Sequence, residues 1–200
     1  MATSVPPPAL LAFYEDHEHT TPFNIESFDW DGLVDLFSEH EQTSCSPCPG
    51  GQKCKAKFGV AFSPGVPRQG QTRADKNIEH VSMLVYDFDH LWRSELEALC
   101  DRLAPLASVL YSTHSHLHGG PDDNCVRVVL PFSRPLAPDE FRFVHREVRK
   151  RYGLEWQRPG SPALVGADPT PKDLSRLYFM PTAPIGVPVA RTSIADLRAL

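Results

Sequence analysis

No apolar run in the 200 residues approaches the ~20 needed to span a bilayer, which excludes a helical membrane anchor. The N-terminus, Met1-Ala2-Thr3-Ser4-Val5-Pro6-Pro7-Pro8, lacks both the positive cluster and the apolar stretch of a secretory signal, so a cytoplasmic protein is expected. Positive charge is also short. Lys and Arg number 20 against 25 Asp and Glu, a formal net charge of −5. That excludes a histone-like binder acting through bulk charge, because neutralising phosphates takes concentrated Lys and Arg. No internal repeat is present. Cysteines are few and odd in number, five, with three gathered at Cys45, Cys48 and Cys54 and two isolated at Cys100 and Cys125. In a reducing compartment such clustering points to metal rather than disulfides.

What remains is a composition ordinary for a globular protein, 41% hydrophobic and 22% charged. The length suits one core with a small appendage. Arg142, Arg146, Arg149, Lys150, Arg151 and Arg158 crowd one stretch, whereas acids dominate the first forty positions, an asymmetry compatible with a nucleic-acid face.

Residues 1–80 read as irregular, with a short amphipathic helix around Gly32–Glu39 capped by Asp29 or Asp31, the Cys-rich loop, and a strand at Lys57–Phe62. From Val81 the pattern sharpens into a strand, Val81–Asp87, and then a helix, Leu91–Ala104, with Leu96, Leu99, Cys100 and Leu103 at helical spacing. Ser108–Tyr111 and Val126–Leu130 read as two more strands, joined through the turn-rich Gly119–Asn124. A helix follows with Pro138 at its start, Asp139 and Glu140 in its first turn and Gly153 as its stop, burying Phe141, Val144, Val148 and Tyr152. Leu174–Met180 suits a final strand. The order β-α-β-β-α-β predicts an α+β fold, an antiparallel ferredoxin-like or RNA-recognition-motif-like (RRM-like) sheet with helices on one face and the other left open for a site. The expected division is an accessory module at 1–75, the core at 76–182, and a linker at 183–200 in which a helix-like pattern begins at Ser193.

Asp87 and Asp89 stand two residues apart at the end of an apolar strand, so both side chains share a face while Phe88 points into the opposite layer. Two carboxylates ~4 Å apart repel by roughly 4 kcal/mol at an effective dielectric of 20, a cost a divalent cation removes. Oxygen ligands suit Mg²⁺ or Mn²⁺, and nucleotidyl transfer uses two such ions. Ser112-Thr113-His114 follows the second strand as the acidic pair follows the first. Alternation sends Ser112 and His114 to one side, where hydroxyl and imidazole can bond phosphate oxygens. Asp168 and Asp173 both precede Arg176, whose fork suits phosphate, and either acid can complete the metal ligands.

Taken together, Asp87-Phe88-Asp89, Ser112-Thr113-His114, and Asp168 eight residues before Arg176 resemble the three motifs of the archaeo-eukaryotic primase superfamily, in its primase-polymerase branch found on mobile elements. Val126–Pro131 and Ser175–Pro181 resemble phrases these proteins carry between and after the motifs. The resemblance covers about Phe62 to Pro181. It implies a DNA primase-polymerase core in which Asp87, Asp89 and Asp168 bind two catalytic Mg²⁺ or Mn²⁺ ions, while Ser112, His114 and Arg176 contact the incoming nucleotide. The Asp-to-Arg spacing favours Asp168 over Asp173. Arg73 is a further candidate for touching nucleotide or template. The implied partners are a DNA template or primer, deoxy- or ribonucleotides, and a helicase in the same or a partner chain.

Cys45-x2-Cys48-x5-Cys54 offers three thiolates, and a structural zinc wants four N or S ligands, with His40 the nearest candidate for the fourth. Arg142, Arg146, Arg149 and Lys150 lie on the outer face of their helix, either simply solvated or facing template. Two rival functions are weighed. His116-Leu117-His118 spells the His-hydrophobic-His metal motif of rolling-circle nickases, with Tyr152 as nucleophile, although that reading leaves the acidic pair without work. The other is a nucleic-acid-binding module without catalysis.

Overall fold

Two long apolar runs organise the molecule. Ile78–Leu91 and Asn124–Leu136 are buried almost continuously rather than at alternate positions, the mark of strands lying between two layers. The computed structural model describes residues 7–45, 48, 49, 53–162, 164–168 and 173–194. Its strands are β1 (Ala9–Tyr14), β2 (Asn24–Phe28), β3 (Glu41–Thr43), β4 (Ala61–Ser63), β5 (Gly65–Pro67), β6 (Ile78–Leu91), β7 (Ser108–Ser112), β8 (Asn124–Leu136), β9 (Glu155–Gln157), β10 (Leu164–Gly166), β11 (Tyr178–Phe179), β12 (Thr182–Pro184) and β13 (Arg191–Ile194). The helices are α1 (Trp30–Ser38), α2 (Arg93–Leu103) and α3 (Pro138–Arg151).

The central sheet has the order β13-β7-β8-β6-β5, and all of its pairings are antiparallel. Strand alternation sends Leu84, Tyr86 and Phe88 to one face, where with Val128 and Leu130 they pack on Leu99 and Leu103 of α2 and Phe141 and Val148 of α3. Each such fully buried side chain contributes roughly 1.5–3 kcal/mol. Met83, Val85, Val109, Tyr111 and Val129 take the other face and meet Leu11, Phe13, Leu33, Phe37, Phe62 and Tyr178. Phe37 stacks on Tyr111 with ring centroids 5.3 Å apart. This second layer is a four-stranded sheet, β11-β4-β1-β2, together with α1.

The helix ends follow local chemistry. Asp29 caps α1 by accepting the Gly32 N–H at 2.9 Å. Glu95 and Glu140 reach back to the N–H groups of Trp92 and Ala137. Gly153, at φ +56°, takes the left-handed turn that ends α3.

Several expectations are corrected. The described residues of the segment 1–80 are not irregular, since they supply β1 to β5, and the sheet face expected to be open is covered by β1, β4 and α1 from this segment. β6-α2-β7-β8-α3 follows the expected order, but the place beside β6 is filled by β5. The final strand, shortened to β11, pairs with β4 in the other sheet. The strand expected at Lys57–Phe62 begins at Ala61, after a 3₁₀ turn at Lys55–Lys57. Arg191–Ile194, expected as linker, pairs with β7, and the continuation of the helix-like pattern from Ser193 lies outside the described residues. Strand pairings thus cross the boundaries expected at 75/76 and 182/183. Gly65 lies against the loop before β11 so closely that a Cβ there would stand 2.1 Å from the Leu174 carbonyl oxygen. Among the described residues no helix is long and apolar enough to cross a membrane.

Candidate active site

Where the second layer stops covering β6, a cavity of about 340 Å³ opens, lined by Asp87, Asp89, Arg127, Arg176, Lys57, and residues 113–115 among others. The same alternation that buries Met83 and Val85 delivers Asp87 and Asp89 to this cavity, with Phe88 in the opposite core. The ladder is irregular between Phe88 and Leu91, and His90 has a positive φ of 58°. Such a bulge re-aims side chains, and here it leaves Asp89 on the exposed rim.

Asp87 is the more enclosed acid. Its Oδ1 accepts from Arg127 Nε at 2.6 Å, and its Oδ2 lies 3.4 Å from Arg176 Nη2. Arg127 is its cross-strand partner on β8, with guanidinium donors also reaching the Phe179 carbonyl at 2.8 Å and the Tyr111 hydroxyl at 3.2 Å. Burial alone would weaken Arg127's hold on its proton; the Asp87 carboxylate and Tyr111 reverse this and raise its pKa. Burial pushes the Tyr111 hydroxyl up to about 12, so it stays protonated.

Asp168 is drawn in from a distant stretch of chain. Its N–H donates to the Asp87 carbonyl at 3.0 Å, and its Oδ2 accepts from the same Arg176 Nη2 at 3.1 Å. Asp87 and Asp168 therefore sit within two hydrogen-bond lengths of each other, with one guanidinium nitrogen between them. Asp173 makes no such approach, and its carbonyl accepts the Arg176 N–H. The three acids do not all close to within 4.8 Å of one another while Arg176 stands there. Partial burial, and then the charge of Asp87, hold the Asp89 carboxyl above the usual carboxylate range. These hard oxygen donors, one of them under like-charge strain, fit a divalent cation such as Mg²⁺ or Mn²⁺.

Other expected residues stand elsewhere. Ser112 does not face the cavity. Its Oγ accepts the Ala190 N–H at 3.1 Å and lies 3.2 Å from His40 Nε2, so Thr113 and Ser115 line the cavity instead. His40, expected as the fourth ligand of the cysteine cluster, donates from Nε2 to the Ser112 carbonyl at 2.9 Å. The fourth member of that cluster is His114, whose Nε2 lies 3.4, 3.6 and 3.2 Å from the sulfurs of Cys45, Cys48 and Cys54. This Cys₃His set can hold a metal such as zinc. Arg73 is not among the cavity residues; it donates to the carbonyls of His17 and His19 and fastens the β1–β2 connection. The basic helix α3 packs on the far face of the sheet, and Arg142, Arg146 and Arg149 pair with Asp75, Glu147 and Glu155. His116 and His118 belong to no ligand group among the described residues, and Tyr152 ends α3 on the far face.

Two residues of the cavity lining are not among the candidates read from the sequence, Arg127 and Lys57. Arg127 carried a signal, an arginine inside the apolar strand Val126–Leu130, which burial forces to find a carboxylate. Lys57 carried none, since only folding brings it to the cavity.

Residues 53–159, more than half of the chain, match the family model of the VapE N-terminal domain. The chain belongs to the VapE N-terminal domain family. Among solved structures, the AEP domain of the cyanophage S-2L primase-polymerase (PrimPol) is similar to this VapE-type domain with a TM-score of 0.50. The match covers 96% of this chain and 85% of that one at 11% identity, a likeness of fold. No curated protein matches the sequence. Both findings agree with the resemblance to primase-polymerases of the archaeo-eukaryotic primase superfamily.

Proposed function

We propose that this domain is a template-directed nucleotidyltransferase, the catalytic core of a DNA primase-polymerase. The observation that carries the reading is the meeting of Asp87 and Asp168, from separate stretches of chain, on one Arg176 nitrogen beside the cavity that Asp89 borders. Asp87, Asp89 and Asp168 would hold two divalent ions, which supply activation of the primer hydroxyl and neutralisation of the leaving pyrophosphate. Arg127 fixes Asp87 through Oδ1 at 2.6 Å, while Oδ2 meets Arg176 at the longer distance of 3.4 Å. Arg176, balanced between two carboxylates, is placed to exchange them for a triphosphate. The Tyr111 and Tyr178 rings flank Arg127, and together with the Phe179 carbonyl they confine its guanidinium to one position.

The partners of this reading are a DNA template or primer and deoxy- or ribonucleoside triphosphates. The family match favours a helicase-containing context. A primer-extension and de novo synthesis assay, run with both nucleotide sets and with Mg²⁺ or Mn²⁺, tests it. Labelled nucleotide should enter a product complementary to the template. DNA binding without incorporation under every combination would leave the non-catalytic module as the better account.

A further inference from the structure

Beside the acidic site lies a second cluster with its own chemistry. The ligand atoms of Cys45, Cys48, Cys54 and His114 all fall within 4.8 Å of one another. For tetrahedral zinc, with Zn–S near 2.3 Å and Zn–N near 2.0–2.1 Å, neighbouring S and N atoms stand about 3.5 Å apart. The three S···N separations here are 3.4, 3.6 and 3.2 Å. His114 Nδ1 lies 3.1 Å from Thr182 Oγ1, a partner that fixes the ring and leaves Nε2 for the sulfurs' side. None of these cysteines is in a disulfide.

Two arms run from this cluster to the cavity. One is the β7 extension, since His114 sits between Thr113 and Ser115, and all three line the cavity. The other is the 3₁₀ turn Lys55–Lys57 that begins at Cys54. The Lys57 N–H donates to the Cys54 carbonyl at 3.4 Å and the Phe58 N–H to that of Lys55 at 3.1 Å, so the ligand and the turn are one unit. The third residue of that turn, Lys57, places its side chain in the lining that contains Asp87, Asp89 and Arg176.

We propose that Cys45, Cys48, Cys54 and His114 bind one Zn²⁺, and that this ion holds Lys57 in the cavity as a contact for the triphosphate of the incoming nucleotide. The metal half stands on the cluster alone, while the nucleotide half rests on the function proposed above. A compact ammonium suits a phosphate as a point charge, complementing the planar fork of Arg176. The zinc is structural, because all four positions are filled by protein side chains, and His114 serves as a metal ligand rather than as a phosphate contact.

The test uses the full chain. Its metal content is measured by mass spectrometry, cobalt is exchanged in to read the absorption of a tetrahedral thiolate site, and binding of a deoxynucleoside triphosphate with Mn²⁺ is followed by calorimetry. We expect one zinc per chain, lost in Cys54→Ser and His114→Ala but kept in Lys57→Ala. Lys57→Ala should weaken nucleotide binding about tenfold, the effect of losing one charge-assisted contact. Stripping the zinc should weaken it at least as much, with no further loss when Lys57→Ala is added. Because stripping removes folding energy as well, the zinc-loaded Lys57→Ala chain keeps the nucleotide half open to refutation. Absence of zinc and of a cobalt–thiolate spectrum would overturn the metal centre. Zinc present, with wild-type nucleotide affinity retained in Lys57→Ala, would overturn the coupling while sparing the proposed function. A wild-type chain that binds zinc but no nucleotide would bring down the coupling and the proposed function together.

Discussion

Replacing Asp87 by alanine should damage the fold as well as the chemistry, and the two effects can be separated. The Asp87 and Arg127 side chains are only 13% and 11% exposed, and they meet at 2.6 Å. Removing one partner of a buried pair strands the other charge, at a cost of about 3–5 kcal/mol. Arg127 would keep the Phe179 carbonyl and the Tyr111 hydroxyl, so we expect the lower end, about 3 kcal/mol. At roughly 2–4 °C per kcal/mol for a chain of this size, the midpoint should fall by about 6–12 °C. Asp89→Asn removes a charge from the exposed rim and relieves a like-charge contact, so its midpoint should stay within about 2 °C of wild type. Both variants should lose nucleotide incorporation. Thermal melts of the two proteins, paired with primer extension, form the assay. An Asp87→Ala protein melting like wild type would show that the pair does not hold β6 to β8, and an Asp89→Asn protein with wild-type extension would remove Asp89 from the catalytic set. Converting both members, Asp87→Ala with Arg127→Met, should restore much of the midpoint but none of the activity.

Arg176→Ala should weaken nucleotide binding more than DNA binding, as read by calorimetry against each; equal loss would contradict a triphosphate role. His145, buried on α3 against Tyr86 and Phe141, has its pKa lowered from 6.5 to about 4 by burial first and then by Arg149. A lowered pKa means its contribution is fully present above pH 6.5 and is lost as pH falls through about 4, so His145→Phe should flatten that part of a stability–pH curve. Tyr152→Phe should leave extension unchanged, and no covalent adduct with single-stranded DNA should form; trapping such an adduct on Tyr152 would revive the nickase. Reversing the charges of Arg142 and Arg146 together should change template affinity less than twofold, because α3 lies across the sheet from the cavity.

Sequence patterning went furthest where a local rule acts alone. The cap at Asp29, the helices after Leu91 and Pro138, and the shared face of Asp87 and Asp89 all follow from spacing and capping. The covered face of the sheet was also written in the chain, as the unbroken apolar run Met83-Leu84-Val85-Tyr86, but read as a half-exposed strand it left no room for a second layer. β1 was hidden because Ala9–Tyr14 is a short continuous apolar run whose type periodicity alone does not decide, and burial, which only its neighbours supply, is what stabilises it. Which residue completes the cysteine cluster is a question of distance in space. His40 is five residues from Cys45 along the chain, yet the fold turns it to Ser112 and brings His114 from 60 residues beyond Cys54.

The bare α-carbon of Gly65 acts as a seat for the loop that presents Arg176. With the Leu174 carbonyl resting where a methyl group would otherwise be, even alanine at this position would lever the loop outward and carry the guanidinium away from both acids. An inactivating substitution could therefore arise in a residue with no side chain to offer, by misplacing a charge rather than deleting one.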